Sequence, residues 1–149
     1  MNTVASKNII AFPQFAEICG AHGLKATQQR FEIYSELLKS TAHPDTETVY
    51  VEIRKRMPSI SFDTVYRTVR VLEEKGVILR IDPGFERARY DANMSMHHHF
   101  ICRKCGMIKD FSSEDFDRIS PPDAIDEIGK ADCVHVEIRG VCNKCKSKK

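Results

Sequence analysis

Two pairs of cysteines constrain this chain more than any other feature. Each pair is a C-x-x-C motif, and 36 residues lie between the pair Cys102/Cys105 and the pair Cys142/Cys145. A C-x-x-C motif places two thiolates on one side of a tight turn, so two motifs supply the four ligands of a tetrahedral Zn²⁺, at Zn–S distances of about 2.3 Å. A filled four-sulfur shell is typical of structural zinc and not of catalytic zinc. Two disulfides or a redox pair are the alternative interpretations.

Length and composition limit the class of protein. A chain of 149 residues with 42% hydrophobic and 30% charged residues fits one globular domain or two small ones. No apolar run approaches the roughly 18 residues of a membrane span, and residues 1–10 lack the pattern of a signal peptide. We therefore expect a cytoplasmic protein with no membrane partner, in which reduced cysteines favour a metal over disulfides. The net charge of +2 neither favours nor excludes nucleic acid.

The chain divides into a helical half and a half with strand-like runs. The predicted helices are Phe12–His22, a helix that follows Thr27 as its N-cap, Thr46–Met57, and Thr64–Lys75 after Ser61 as N-cap. A hairpin follows, with Val77–Ile81 as one strand, a turn at 82–84 and Glu86–Tyr90 as the other. The predicted organisation is α+β: a winged helix-turn-helix domain over 1–91, a hinge over 92–96, and a small α/β domain with the four-cysteine zinc site over 97–149.

The fourth predicted helix carries side chains suited to a DNA major groove. Arginine can contact guanine edges through two hydrogen bonds, while hydroxyl and phenol groups reach phosphates or thymine methyl groups. The candidate DNA-binding residues are Ser61, Thr64, Tyr66, Arg67 and Arg70. The hairpin would be a wing whose arginines, Arg80, Arg87 and Arg89, contact the phosphate backbone. A plain helical domain with a solvated basic face explains the same periodicity equally well.

Three consecutive histidines precede the first cysteine pair. In a strand over 97–101, His97 and His99 share one face and His98 takes the other, because side chains alternate. Asp110 falls on the strand expected to pair with this one, and Asp91 ends the wing. Nitrogen and oxygen ligands without sulfur suit Fe²⁺, Mn²⁺ or Zn²⁺. A catalytic metal site is the competing interpretation, but the winged helix would then have no role.

These residues resemble the ferric uptake regulator family, metal-dependent bacterial repressors with a winged helix and a zinc-bearing dimerisation domain. The resemblance spans roughly residues 20–146 and rests on motifs across the whole range. These are Thr27-Gln28-Gln29-Arg30, Ala42-His43-Pro44, the run from Ser61 to Arg70, His97 to Cys102, Cys105-Gly106, Asp110-Phe111 and Gly140-Val141-Cys142. It implies a homodimer that binds double-stranded operator DNA when metal is bound, without enzymatic activity or a small organic substrate.

Within that family the chain resembles the peroxide-sensing branch. The resemblance implies a regulatory metal, Fe²⁺ or Mn²⁺, that Zn²⁺ can replace in purified protein. Its implied ligands are His43, Asp91, His97, His99 and Asp110. Iron-responsive relatives usually have glutamate at the position of Asp110. In the peroxide branch, bound Fe²⁺ reacts with hydrogen peroxide and a histidine ligand gains an oxygen atom, and by position His43 and His97 are the candidates.

Three positions depart from the pattern of that branch. Arg67 is a residue associated more with iron-responsive members, so an iron-responsive repressor is the alternative function. Met96 and Val134 stand where many relatives have histidines of a further metal site, which leaves a weak third site predicted at His98, Asp117 and His135. Cys19 and Cys133 match no ligand position, and both are predicted to be buried as small apolar side chains.

Overall fold

The described part of the chain forms two compact units. The computed structural model describes residues 9–84 and 87–148, and the division between the units falls after Met94. We call residues 9–94 the helical unit and residues 95–148 the sheet unit. No helix within the described residues is long and apolar enough to cross a membrane.

The helical unit contains four helices, each beginning where a capping residue allows. Their bounds are α1 Phe12–Ala21, α2 Gln28–Lys39, α3 Thr46–Arg54 and α4 Phe62–Glu74. The side chains of Thr27 and Ser61 accept hydrogen bonds from backbone N–H groups in the first turns of α2 and α4, which confirms both predicted N-caps. Asp45 caps α3 in the same way, accepting from the N–H of Thr48 at 2.8 Å.

Two helix bounds differ from the prediction by two residues or more, and the C-terminal ends of α1 and α4, Ala21 and Glu74, each fall one residue short of it. Helix α3 ends at Arg54 and not at Met57, and the chain continues in a turn toward Pro58. Proline disfavours helical backbone at the residue before it, so the helix unwinds ahead of Pro58 and not at it. Helix α4 begins at Phe62, directly after its cap and two residues before the predicted start.

One hydrophobic core lies between these helices. The predicted inward residues of α4, Val65, Val69 and Leu72, are completely buried, and so are Val49 and Ile53 of α3. The burial of this stripe leaves the polar side chains of α4 on the opposite face. The helix then ends as predicted: the chain turns at Gly76, whose φ of 75° lies in the left-handed region that a residue with a Cβ rarely adopts.

A two-stranded antiparallel ribbon follows α4. It pairs β1, Leu79–Ile81, with β2, Arg89–Asp91, and Arg80 lies opposite Tyr90. Val77 and Ile78 belong to the buried core and not to the strand. Glu86, predicted to begin the second strand, lies outside the described residues. The helical unit is thus a winged helix: three helices around a core, preceded by α1 and followed by a hairpin.

The sheet unit is built on three strands with short helices after them. The strands are β3 His98–Cys102, β4 Ile108–Phe111 and β5 Glu137–Gly140, and β3 lies in the middle. Strand β3 pairs antiparallel with β4 and parallel with β5. Two one-turn helices, α5 Glu114–Asp117 and α6 Asn143–Ser147, and a 3₁₀ helix at Asp123–Glu127 complete the unit. A helical part followed by a small sheet domain is the predicted α+β class, which is confirmed.

Candidate metal centres and nucleic-acid interface

The four cysteines converge at one end of the sheet unit. Strand β3 ends at Cys102 and the chain turns at once, with the N–H of Gly106 donating to the carbonyl of Cys102 at 2.9 Å. Gly106 has a φ of 75°, which closes this turn without a Cβ clash. The second pair follows β5, so the parallel pairing of β3 and β5 brings the two motifs together. The four Sγ atoms lie within 4.8 Å of one another.

The cluster fits Zn²⁺ both in spacing and in charge. Tetrahedral ligands at about 2.3 Å from a zinc ion lie about 3.8 Å from each other, and the Sγ atoms of Cys105 and Cys142 are 3.8 Å apart. The N–H groups of Cys142 and Cys105 lower the pKa of the Cys102 thiol to about 6. The neighbouring sulfur of Cys142 raises the pKa of Cys145 to about 12, since clustered thiols resist joint ionisation. A dication removes that conflict. All six cysteines are free thiols, so the disulfide alternative is not supported.

A second group of ligand atoms lies in the sheet unit beside β3. The Nε2 atoms of His97 and His99 are 3.0 Å apart, and the carboxylate of Asp110 lies 3.3 Å from His99 Nε2 and 3.8 Å from His97 Nε2. The register explains this group, because His99 lies directly opposite Asp110 in the antiparallel pair. The predicted alternation is confirmed: His97 and His99 share a face, and His98 packs against Phe111 on the other.

The protonation of His97 prepares this group for a cation. Its Nδ1 lies 2.6 Å from the carbonyl oxygen of Ser95, which can only accept, so Nδ1 carries the proton and Nε2 carries the lone pair. Two nitrogen ligands at about 2.1 Å from one ion lie about 3.0 Å apart when they subtend a right angle. The observed separation therefore matches two adjacent ligands of an ion with five or six ligands.

The helical unit holds the other two predicted ligands. Nδ1 of His43 lies 3.6 Å from Oδ2 of Asp91, and both side chains are almost completely buried. His43 belongs to the loop between α2 and α3, and Asp91 ends β2. A buried imidazole facing a buried carboxylate is a pair with the right chemistry for Fe²⁺, Mn²⁺ or Zn²⁺. The predicted regulatory ligands thus form two groups, one in each unit.

The residues of the predicted third site are only partly together. His98 is completely buried and its Nε2 lies 2.8 Å from Oδ1 of Asp117. Its Nδ1 accepts from the N–H of Val136 at 3.0 Å, so Nε2 carries the proton that Asp117 accepts. The ring of His135 lies instead against His99, with ring centroids 6.4 Å apart. Among the described residues, no third histidine, cysteine or acidic residue joins His98 and Asp117 at ligand spacing.

The two remaining cysteines differ from each other. Cys19 is completely buried in the core of the helical unit, as predicted, and burial raises the pKa of its thiol. The prediction for Cys133 is wrong, because its side chain is exposed. Cys133 lies in an irregular segment that precedes β5, where no strand partner covers it.

Helix α4 presents most of the predicted DNA-binding residues to solvent. Tyr66, Arg67 and Arg70 are exposed. The hydroxyl groups of Ser61 and Thr64, by contrast, lie 2.8 Å apart, and that of Ser61 accepts from the N–H of Thr64 as the N-cap. The structure therefore places the phenol and the guanidinium groups outward and engages the two hydroxyl groups with each other.

Sequence reasoning missed an aromatic row beside these arginines. Phe62 packs edge-on against Tyr50 of α3 and stacks on Tyr66, with centroid distances of 5.5 and 6.4 Å. The guanidinium carbons of Arg54 and Arg70 lie 5.8 and 5.9 Å from the rings at the two ends, Tyr50 and Tyr66. The sequence does not show that Phe62 is exposed, and a phenylalanine at this position would be expected in the core. In the structure 45% of Phe62 is exposed.

The three arginines of the wing are not equivalent. Arg80 and Arg87 are exposed and pair with Asp82 and with Asp45 and Glu47, respectively. Arg89 is partly buried, and its guanidinium group donates to the backbone carbonyls of the loop at 42–43. The structure thus assigns Arg89 a contact within the protein and not the predicted contact with phosphate.

A winged helix followed by a sheet unit with a four-cysteine cluster defines a metal-binding protein with the architecture of a DNA-binding regulator. The family model described as "Ferric uptake regulator family" matches residues 21–139. The chain belongs to the ferric uptake regulator family, as its motifs predicted. The peroxide-responsive repressor PerR of Staphylococcus epidermidis is 33% identical over 126 residues, which cover 83% of this chain and 83% of that protein.

Solved structures show the same fold. The peroxide stress regulator of Campylobacter jejuni is 31% identical with a TM-score of 0.66, over 91% of this chain and 100% of that chain. The ferric uptake regulator of Francisella tularensis, solved with iron, is 26% identical with a TM-score of 0.62, over 84% of this chain and 96% of that chain.

Proposed function

We propose that this protein is a homodimeric, metal-dependent DNA-binding repressor that responds to hydrogen peroxide. The observation that carries the proposal is the group formed by His97, His99 and Asp110, in which the carboxylate is an aspartate directly opposite His99. The similarity to peroxide regulators of Staphylococcus epidermidis and Campylobacter jejuni over most of the chain supports the same function.

The regulatory metal would be held by five ligands from both units. The helical unit would contribute His43 and Asp91, and the sheet unit would contribute His97, His99 and Asp110. A cation bound by all five fixes one unit against the other and so sets the spacing of the two α4 helices in a dimer. Its binding free energy then differs between a DNA-competent and an open arrangement, which any ligand-driven switch requires.

Two metals with different roles follow from the two kinds of donor. The four thiols of the cysteine cluster suit Zn²⁺ in a structural role, with all positions filled. The nitrogen and oxygen donors suit Fe²⁺ or Mn²⁺, and Zn²⁺ can occupy the same ligands in purified protein. The iron found with the Francisella tularensis relative is consistent with this division.

The proposed sensing reaction takes place on a histidine ligand. Fe²⁺ held by these ligands would supply the redox chemistry that activates hydrogen peroxide, which is the oxidant, beside the imidazole that is oxidised. In the net change one ring C–H carbon of His43 or His97 gains an oxygen atom, and the second oxygen of the peroxide leaves as water. The modified imidazole is a poorer ligand, so the two units separate and the dimer leaves its operator.

DNA binding and dimerisation rest on surfaces of the two units. The outward arginines and aromatic rings of α4 match the chemistry of a major groove. In the sheet unit, β5 is an edge strand, and Ile128 and Ile138 are exposed large apolar side chains. An exposed edge strand with apolar neighbours is a surface that a second copy can cover.

An iron-responsive repressor without peroxide sensing is the second candidate. Arg67 favours it, because that residue is the one associated with iron-responsive members, and its side chain is 77% exposed on α4, where it pairs with Asp63. Both candidates use the same fold and ligands, so they differ in the fate of the histidines when peroxide is added.

The deciding experiment is peptide mass spectrometry of Fe²⁺-loaded protein before and after mild hydrogen peroxide. An added oxygen gives about 16 Da, the same mass that methionine sulfoxide adds. The tryptic peptide 40–54 contains His43 and no methionine, so its mass is unambiguous. The peptide 90–103 contains His97 together with Met94 and Met96, which are both about half exposed, so fragmentation must locate the oxygen.

Mn²⁺-loaded protein is the matched control. Oxidation of Met94 and Met96 by peroxide needs no iron, whereas oxidation of a histidine ligand should occur with Fe²⁺ only. Histidine oxidation together with loss of DNA binding supports the peroxide sensor. Unmodified histidines with DNA binding that still requires Fe²⁺ would transfer the assignment to an iron-responsive regulator. No DNA binding at any metal loading would refute the repressor.

A further inference from the structure

We propose that Arg89 is a positioning residue for the regulatory metal, because it holds the loop of His43 in the conformation that presents this histidine to Asp91. This inference rests on the proposed function, and it assigns to Arg89 a role in metal affinity and not in DNA contact. The contacts of Arg89 that carry the inference, to the carbonyls of Ala42 and His43, lie within the helical unit.

The backbone of His43 adopts a conformation that needs support. Its φ is 52°, and among the described residues it alone combines a positive φ with a side chain. The left-handed region crowds the Cβ of any residue other than glycine, so an isolated loop would leave it. Residues in such conformations persist where the surrounding structure determines them, and they are frequent at ligand sites.

Strand β2 provides that support through consecutive contacts. The guanidinium group of Arg89 donates from Nη2 to the carbonyl of Ala42 and from Nε to the carbonyl of His43. The N–H of the next residue, Tyr90, donates to the carbonyl of Pro44 at 3.2 Å. Three successive carbonyls of the loop are therefore bound by two successive residues of β2.

The third residue of the same strand completes the arrangement. Asp91 faces Nδ1 of His43 at 3.6 Å, so β2 holds the loop backbone with Arg89 and Tyr90 and supplies the partner ligand with its next residue. Groups that orient metal ligands commonly change metal affinity roughly 10- to 100-fold when they are removed. Arginine suits this task, since its planar fork reaches two carbonyls at once, whereas lysine presents a single ammonium group.

The segment just before β2 offers a matched control. Arg87 precedes Arg89 by two residues and points its guanidinium group at the side-chain carboxylates of Asp45 and Glu47. It therefore shares the charge of Arg89 and lies close to it in the chain, while the guanidinium contacts with the loop carbonyls belong to Arg89.

The first measurement is Mn²⁺ affinity of the zinc-containing dimer by competition with a chelator. We expect Arg89→Met to weaken Mn²⁺ binding roughly 10- to 100-fold, Arg89→Lys to fall between Arg89→Met and wild type, and Arg87→Met to stay within about twofold. In a protein that already carries His43→Ala, adding Arg89→Met should weaken Mn²⁺ binding by less than about twofold, because the effects of residues that act through one another are not additive. An equal loss in both backgrounds would overturn the positioning role.

The second measurement needs no regulatory metal. Amide hydrogen exchange of residues 41–43, in protein with structural zinc only, should accelerate in Arg89→Met and remain unchanged in Arg87→Met, because the partners of Arg87, Asp45 and Glu47, lie beyond that segment. Unchanged exchange together with unchanged Mn²⁺ affinity in both Arg89 variants would refute this inference alone, provided that His43→Ala weakens Mn²⁺ binding. If His43→Ala binds Mn²⁺ with wild-type affinity, the five-ligand site is refuted, and the role of Arg89 falls together with that site.

Discussion

Arg67 provides a test in which stability and DNA binding should separate. Its side chain is 77% exposed and pairs with Asp63, 64% exposed, at 2.9 Å one turn away on α4. Exposed pairs of this kind contribute about 0.3–0.5 kcal/mol because water and salt screen them. We therefore expect Arg67→Ala to change the free energy of unfolding by about 0.5 kcal/mol or less.

The expected effect on DNA binding is larger. A guanidinium group that contacts a guanine through two hydrogen bonds contributes about 1–3 kcal/mol of discrimination. The substitution removes one such contact from each half of a symmetric dimer, so the loss is about 2–6 kcal/mol. Even the lower bound weakens operator binding about 30-fold. The same residue would thus be nearly silent in folding and decisive in recognition.

Fluorescence anisotropy of Mn²⁺-loaded protein on labelled DNA from its own promoter region measures this loss. If Arg67 contacts a base, the substitution weakens binding to the operator relative to scrambled DNA. If Arg67 contacts a phosphate, the substitution weakens binding to both DNAs and lowers the slope of log affinity against log salt by about 0.9 per site, hence about 1.8 per dimer. The matched control is Arg118→Ala, which removes an exposed pair of the same spacing, Arg118 with Glu114, from the sheet unit. Equal operator affinities for the two variants would refute the assignment of α4 as the recognition helix.

Three further substitutions test the metal centres and the loop between α2 and α3. Cys102→Ser should abolish zinc binding and the dimer, measured by elemental analysis and sedimentation, since structural zinc contributes folding free energy; normal dimers without zinc would refute the site. Asp110→Glu should keep Fe²⁺-dependent DNA binding but reduce histidine oxidation in the mass-spectrometric assay, and unchanged oxidation would remove the basis for peroxide sensing. Asp45→Ala should lower the urea stability of the helical unit by about 1 kcal/mol. Burial alone would raise the pKa of Asp45, but hydrogen bonds from Thr48 and Arg87 outweigh it and hold this pKa below its usual value. Asp45 is therefore ionised, and its cap is fully formed, at any pH above the pKa of an ordinary carboxyl group. The loss of stability in Asp45→Ala should accordingly be equal at pH 7 and pH 5.5.

Local patterns in the sequence were sufficient for much of the fold and for the ligand types. Thr27 and Ser61 are recognisable as caps because capping depends on residues three positions apart. The alternation of His97, His98 and His99 needs only the period of a strand. The two C-x-x-C motifs were sufficient to predict four thiolate ligands, and the parallel pairing of β3 with β5 brings the two motifs together.

Contacts between distant segments were beyond the sequence. Arg89 looked like one more basic residue of a wing, because nothing nearby reveals that its fork reaches carbonyls 46 and 47 positions earlier. Exposure at Phe62 and at Cys133 was equally hidden, since both residue types are usually buried. In each case the tertiary environment, and not the residue type, decides the role.

Under the proposed sensing reaction, oxidation at His43 would act on DNA binding more directly than oxidation at His97. Two residues after His43, Asp45 caps α3, and α3 packs beside α4 in the helix-turn-helix. The loop, the cap and the wing strand are joined by Arg87 and Arg89, so a change at His43 alters the support of α3 within the helical unit itself. His97 contacts residues of the sheet unit, and its loss acts on DNA only through release of the bound metal. Oxidation at His43 should therefore weaken DNA binding more than removal of the regulatory metal does. Oxidation at His97 should weaken DNA binding only as much as removal of that metal does.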